Sequence, residues 1–169
     1  MTNTFRISLT NSLKYFINNL LKDKQKNKKM SIEETEKRII EEFELFNDWM
    51  DNYNYIIELG KELPLIDPQY KDEQHLIAGC QSQVWLHAEL KDGLIIFTAD
   101  SDAIITKGII NLLIKVLSNR TPEEIINAPL DYIDKIGLKE HLSPTRSNGL
   151  LSMIQQIKMY AVAFQIKGK

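Results

Sequence analysis

The chain has 169 residues, 43% of them hydrophobic and 26% charged, which is the size and composition of one globular domain. Its formal net charge of −2 gives no global reason to expect a nucleic-acid partner, and no apolar run reaches the roughly 18 residues of a membrane span. The one cysteine, Cys80, excludes an intrachain disulfide framework, a Cys-rich zinc site and a cluster held by thiolates of one chain; it fits a reducing compartment, read here as the cytoplasm.

Charge is unevenly spread. Residues 1–29 carry seven Lys or Arg and one acid, whereas the other 140 residues carry 14 bases and 22 acids. The stretch from Lys22 to Lys29 is a solvated basic run, so residues 1–29 read as a disordered extension of a domain spanning 30–169. Leu9, Leu13, Phe16 and Leu20 recur at helical spacing, which keeps a mobile interaction arm or a targeting helix open for this segment. Met30 as the natural start is a further reading, because a helix opens immediately after it.

Ser31 and Glu34 form a capping-box pair, and Ile39, Phe43, Phe46 and Met50 then mark one helical face. Asp51 or Asn52 restarts a second helix through Tyr53, Ile56 and Ile57 to Gly60, and Pro64 and Pro68 bracket an extended connection. The period then changes. Val84, Leu86, Ala88 and Leu90 alternate with Trp85, His87 and Glu89 as in a half-buried strand. Lys91-Asp92-Gly93 is a turn signal, and Leu94–Thr98 reads as the returning strand. Such a hairpin is marginal alone and needs helices or a third strand against it.

Ser101 or Asp102 is placed to cap a helix reaching about Ser118, apolar nearly all round and therefore the buried central one. Thr121-Pro122-Glu123-Glu124 opens a short helix ending near Gly137. A last helix from about Ser147 turns Leu150, Ile154, Ile157, Ala161 and Phe164 to the core. Helices, then a hairpin, then helices, with no internal repeat, predict a single α+β domain: a small antiparallel sheet packed against helices.

Cys80 lies between a polar loop and the first strand, after Gly79, which opens backbone conformations closed to other residues. A lone cysteine in that place is either a small core residue or an outward-projecting thiol. Arg146, just before the expected start of the last helix, could join a guanidinium to a helix dipole at one anion; the alternatives are a plain surface arginine or one tied to a carboxylate. None of His75, His87 and His141 is fixed beside the thiol by its spacing, and no spacing resembles a zinc site or a phosphate loop.

The segment Gly79-Cys80-Gln81-Ser82-Gln83-Val84-Trp85 resembles the active-site loop of the SufE family of sulfur acceptors. The likeness continues through Asp100-Ser101-Asp102-Ala103, Lys107-Gly108 and Thr121–Ile125, then Gly137-Leu138 and His141–Leu150; upstream, Tyr55–Gly60 and Leu63-Pro64 are similar. It covers roughly residues 32–165, leaving 1–29 outside. The resemblance implies a fold like that of iron–sulfur scaffolds and a cysteine desulfurase as partner. It implies that Cys80 accepts sulfane sulfur as a persulfide, stimulates that enzyme and delivers sulfur for iron–sulfur cluster assembly on a downstream scaffold. It suggests Arg146 as a stabiliser of thiolate or persulfide, and Asp102 in loop opening or at the helix start. Pyridoxal phosphate would belong to the desulfurase, so no cofactor is expected here, and the protein would act as a co-substrate, monomer or homodimer. An iron–sulfur scaffold or a thiol hydrolase is the competing class.

Overall fold

The computed structural model describes residues 29–168. The readings made for the basic extension, including the Leu9–Leu20 face, lie outside the described residues. Helices α1 (Ile32–Phe43) and α2 (Trp49–Lys61) lead through a 3-10 turn (Pro68–Tyr70) to strands β1 (Val84–Lys91) and β2 (Leu94–Ser101). Helices α3 (Ile104–Leu117), α4 (Pro122–Asn127), α5 (Tyr132–Lys135), α6 (Leu138–His141) and α7 (Pro144–Lys167) complete the order. This is the expected single α+β domain.

Helix α3 is the centre. Ile109, Ile110, Leu112, Leu113, Val116 and Leu117 are all buried, each contributing about 1.5–3 kcal/mol of burial free energy. α1, α2, α7 and β2 all pack on it. Its buried polar residue is satisfied: Asn111 Nδ2 donates to the Leu59 carbonyl at 2.6 Å. Where α2 crosses α3, a Cβ built on Gly60 would sit 2.9 Å from the Gly108 nitrogen, and one built on Gly108 would overlap the Ile56 carbonyl. The two backbones touch there, and only hydrogen fits between them.

The hairpin is antiparallel, with Val84 opposite Ser101 and Lys91 opposite Leu94. Asp92 and Gly93 both take positive φ (51° and 79°), the backbone of the two-residue turn whose twist matches the strands. Three flanking segments pair with its edges: Leu65 with Ala99, Leu76 with Trp85, and Arg120 with Ile95. Tyr160 of α7 donates to the Leu86 carbonyl at 3.0 Å, tying the last helix across β1.

Both capping boxes form as read, at Ser31 and Thr121. Several boundaries move for local reasons. Asp48, not Asp51 or Asn52, caps α2, its carboxylate accepting the Asp51 N–H at 3.0 Å; Met50 therefore sits on α2, 66% exposed, and leaves the α1 face. The helix after Thr121 stops at Asn127, because Pro129 and a left-handed Leu130 (φ 60°) break it into α4, α5 and α6. The last helix starts at Pro144, capped by Ser143, so Arg146 lies inside its first turn rather than before it. Leu90, at the hairpin's far end, turns to solvent instead of the core.

Replacing Gly108 with Ala should lower stability by roughly 3 kcal/mol or more, since neither backbone can yield without moving a whole helix. Denaturant midpoints would read it. A change below about 0.5 kcal/mol would show that the crossing is looser than this geometry.

Candidate functional site

Cys80 sits in the loop Ala78–Gln83, whose stem is a short antiparallel pairing. The Ile77 N–H donates to the Val84 carbonyl at 2.8 Å and the Leu86 N–H to the His75 carbonyl at 2.9 Å. A backbone leaving and re-entering a pairing within six residues must turn sharply, and Gly79 supplies the turn with φ 87°. A side chain there would also press on Ser152, 2.7 Å from the ideal Cβ position.

The far side of the stem is clamped at Gln83. Asp102 Oδ1 accepts the Gln83 N–H at 3.0 Å; the Ser101 hydroxyl donates to the Gln83 carbonyl at 2.7 Å, and the Asp102 N–H adds a 3.3 Å bond. This corrects the reading of Ser101 or Asp102 as the cap of α3. The N-cap position falls on Ala103, which makes no side-chain cap bond: the Asp102 carboxylate serves the loop, and the Ser101 hydroxyl, while donating to the loop, accepts only the Ala103 N–H, at 3.2 Å. Behind them, Asp100 is buried between Lys107, at 3.1 Å, and Lys71. Burial alone would raise its carboxyl, but bonds from the two lysines and the Ser101 N–H hold it below the usual range.

Helix α7 shields the thiol. Cys80 Sγ is 3.6 Å from the Gly149 carbonyl oxygen, within reach of an S–H donor, and Gly149 carries no Cβ toward the loop. Beside the sulfur is a cavity of about 20 Å³, room for roughly one water-sized atom. Gln81 and Ser82 line it from the loop, Thr106 and Ile109 from α3, and Thr145, Arg146 and Met153 from α7. Cys80 is half-buried, and that burial pushes its thiol up from its ordinary value. Arg146 forms no ion pair among the described residues, so its guanidinium is uncommitted beside the first turn of α7.

The structure thus brings Cys80 and Arg146 to one cavity and puts Asp102 at the root of the same loop. Thr106, Gly149 and Met153 were not singled out from sequence; a polar residue in an otherwise apolar helix and a glycine early in the last helix were the signals available. Leu76 and Ile77, which flank the loop, do not line the cavity.

The histidines lie elsewhere. His141 Nδ1 lies 2.8 Å from the Gly137 carbonyl and its ring stacks on Trp49; His75 and His87 meet Asp72 and Tyr70 on the outer face of the hairpin. No described histidine lines the cavity, so none of the three stands beside the thiol as the base of a Cys–His pair would. Among the described residues there is also no group of three or more His, Cys, Asp or Glu that could hold a metal ion.

If the Gln83 clamp holds the loop shut, Asp102→Ala should remove about 1 kcal/mol from the closed form and speed alkylation of Cys80 roughly five-fold, with little change in melting temperature. An unchanged alkylation rate would show that the clamp does not control access.

A profile of the family described as "SufE: Fe-S metabolism associated domain" matches residues 37–161. An uncharacterised SufE-like protein of Rhizobium meliloti is 42% identical over 129 residues, 73% of this chain and 92% of the relative. A second, from a Synechocystis strain, is 35% identical over 129 residues, covering 76% of this chain and 81% of the relative. The Arabidopsis thaliana protein named SufE-like protein 1, chloroplastic/mitochondrial, is 35% identical over 142 residues, covering 82% of this chain and 38% of that longer protein. The solution structure of a hypothetical protein from Thermus thermophilus superposes with a TM-score of 0.64 over 76% of this chain and 94% of that one; at 21% identity it shows the shared fold. The chain belongs to the SufE family of proteins associated with iron–sulfur metabolism.

Proposed function

We propose that this protein carries sulfane sulfur on Cys80 between a cysteine desulfurase and iron–sulfur cluster assembly. One observation supports this above the others: the only thiol sits on a clamped loop, beside a cavity of about 20 Å³ that a single terminal sulfur would fill.

The transfer balances without an external oxidant or reductant. The Cys80 thiolate attacks the terminal sulfur of a persulfide on the desulfurase, and a new S–S bond forms at Cys80. The donor S–S bond breaks, and the donor sulfur leaves as a thiolate with the electron pair. The proton given up by Cys80 goes to solvent or to that thiolate. This is thiol–disulfide exchange, whose rate follows thiolate fraction and access. Pyridoxal phosphate chemistry stays with the desulfurase.

The closed loop opposes both requirements, since burial disfavours the thiolate and α7 covers the sulfur. A partner that binds only the open loop offsets the opening cost with its own binding energy, and the freed thiol then ionises more easily. After transfer, reclosure would place the terminal sulfur in the cavity, beside the N-terminus of α7 and Arg146, where an anion is favoured and passing thiols and oxidants are excluded. Asp102 and Ser101 set how readily the loop opens. The reading requires a reducing compartment, as the cytoplasm is.

With a desulfurase, free cysteine and reductant, the protein should accelerate sulfur release, and Cys80→Ser should abolish that acceleration while leaving the fold intact. Arg146→Ala should slow sulfur acceptance roughly five-fold, equivalent to about 1 kcal/mol at a helix terminus, and move the pH profile of Cys80 alkylation upward. Full stimulation by Cys80→Ser would overturn the assignment of the acceptor; an unmoved alkylation profile would leave Arg146 a docking residue.

A further inference from the structure

Two histidines on the outer face of the hairpin turn ring nitrogens towards each other. His87 alternates outward on β1, and the turn that precedes the Cys80 loop brings His75 beside it, where the His75 carbonyl accepts the Leu86 N–H. His75 Nε2 lies 3.3 Å from His87 Nδ1. Two imidazole ligands, each about 2.0–2.1 Å from a tetrahedral zinc ion, stand about 3.3–3.4 Å apart. The pair already has the spacing of two corners of such a site.

The other nitrogen of His75 is committed. Asp72 Oδ1 lies 2.7 Å from His75 Nδ1, and it also accepts the Gln74 and His75 backbone N–H groups at 2.9 and 3.0 Å. A carboxylate acceptor puts the imidazole proton on Nδ1 and leaves the Nε2 lone pair facing His87. The bond from the His75 ring is the first cause holding the Asp72 carboxyl below its ordinary range. A carboxylate behind a histidine is the arrangement that fixes tautomer and ring orientation in metal-binding imidazoles. His87 is held as well: Tyr70 stacks on it with ring centroids 3.8 Å and planes 4° apart. Burial first, and the neighbouring His75 second, keep His87 below its ordinary value, so at neutral pH its ring carries a lone pair.

The surroundings suit a cation. Asp72 faces His75, while Asp67 and Glu89 act on the His87 ring; Glu89 is offset in part by Lys91 at 3.3 Å. Both histidines are half-buried, so one side of the pair stays open to solvent. Among the described residues no third His, Cys, Asp or Glu completes a group with them, which leaves the other coordination positions to water.

We propose that His75 and His87 chelate a divalent cation of the zinc class through Nε2 and Nδ1, with Asp72 as the positioning residue behind His75. The cation takes the place of the one proton that the two nitrogens share, and His87 keeps its ring proton on Nε2. Imidazole ligands favour zinc, copper and nickel over magnesium and calcium. The site is separate from Cys80, since one ligand precedes the Cys80 loop and the other follows it on the outer side of the sheet. It does not depend on sulfur transfer.

The test uses the untagged full chain carrying Cys80→Ser, which removes the thiol as a competing ligand, with Zn2+ alone as the probe. The chain has three histidines, so ring nitrogen-15 signals report the site directly, and His141, bonded to the Gly137 carbonyl, is the internal control. Zn2+ should move the His75 Nε2 and His87 Nδ1 signals along one saturation curve and leave His141 in place. His87→Gln should weaken zinc binding at His75 about ten-fold or more, and so should Asp72→Asn, which keeps an oxygen for the backbone N–H groups. Zinc should also raise the melting temperature of the Cys80→Ser chain, an effect that His87→Gln removes. If neither ring moves with Zn2+ up to about 1 mM, chelation is overturned and the two rings form a hydrogen-bonded pair only. Equal movement of all three histidines, or a His75 affinity indifferent to His87→Gln, would overturn it too, in favour of single-ligand binding at the surface.

Discussion

The structure depends on burying α3 on every side. A helix apolar nearly all round has no stable exposed orientation, so α1, α2, α7 and the hairpin must each present it a face. The tightest of these contacts is the crossing at Gly60 and Gly108, which sets α2 against α3 at backbone distance. Two buried side chains, Asn111 and Tyr132, then use backbone carbonyls as acceptors and fix the rotation of the helix and its neighbours.

The site is a consequence of that packing. α3 leaves β2 at Ser101–Ala103, so the residues joining sheet to helix lie beside the re-entry of the Cys80 loop and can clamp it. Thr106 and Ile109, in the first and second turns of α3, form the floor of the cavity, and the start of α7 forms its cover. One core helix thus positions both a polar clamp and an apolar floor. The result is a thiol kept less acidic than usual by burial, with a cation and a helix N-terminus placed where added negative charge would be stabilised. On the proposed function, the resting form would protect the thiol and the open form would react, so reactivity would be set by a conformational equilibrium more than by the intrinsic chemistry of the thiol.

Periodicity in the sequence made the main elements legible. Strand alternation at 84–88 and the Asp92-Gly93 turn give the hairpin, the apolar run 104–117 gives the buried helix, and two capping boxes locate helix starts. Gly79 before Cys80 was legible as a residue free to take backbone conformations closed to others, and the structure uses that freedom at φ 87°. What local patterns could not show is competition between partners. Asp102 has the chemistry of a helix cap, yet its carboxylate serves Gln83, nineteen positions earlier, and only tertiary structure reveals that choice. Gly149 likewise reads as a weak helix residue until the loop is seen against it. Met50 and Leu90 fit their apolar periods and are exposed, since a pattern does not say where a core ends.

The most direct test of the account is the intact mass of the full chain after incubation with a cysteine desulfurase and free cysteine, without reductant, followed by peptide mapping. The account predicts a gain equal to one sulfur atom, located on Cys80, lost on adding reductant and absent from Cys80→Ser. A chain that stays at its starting mass while the desulfurase itself becomes persulfidated would contradict it.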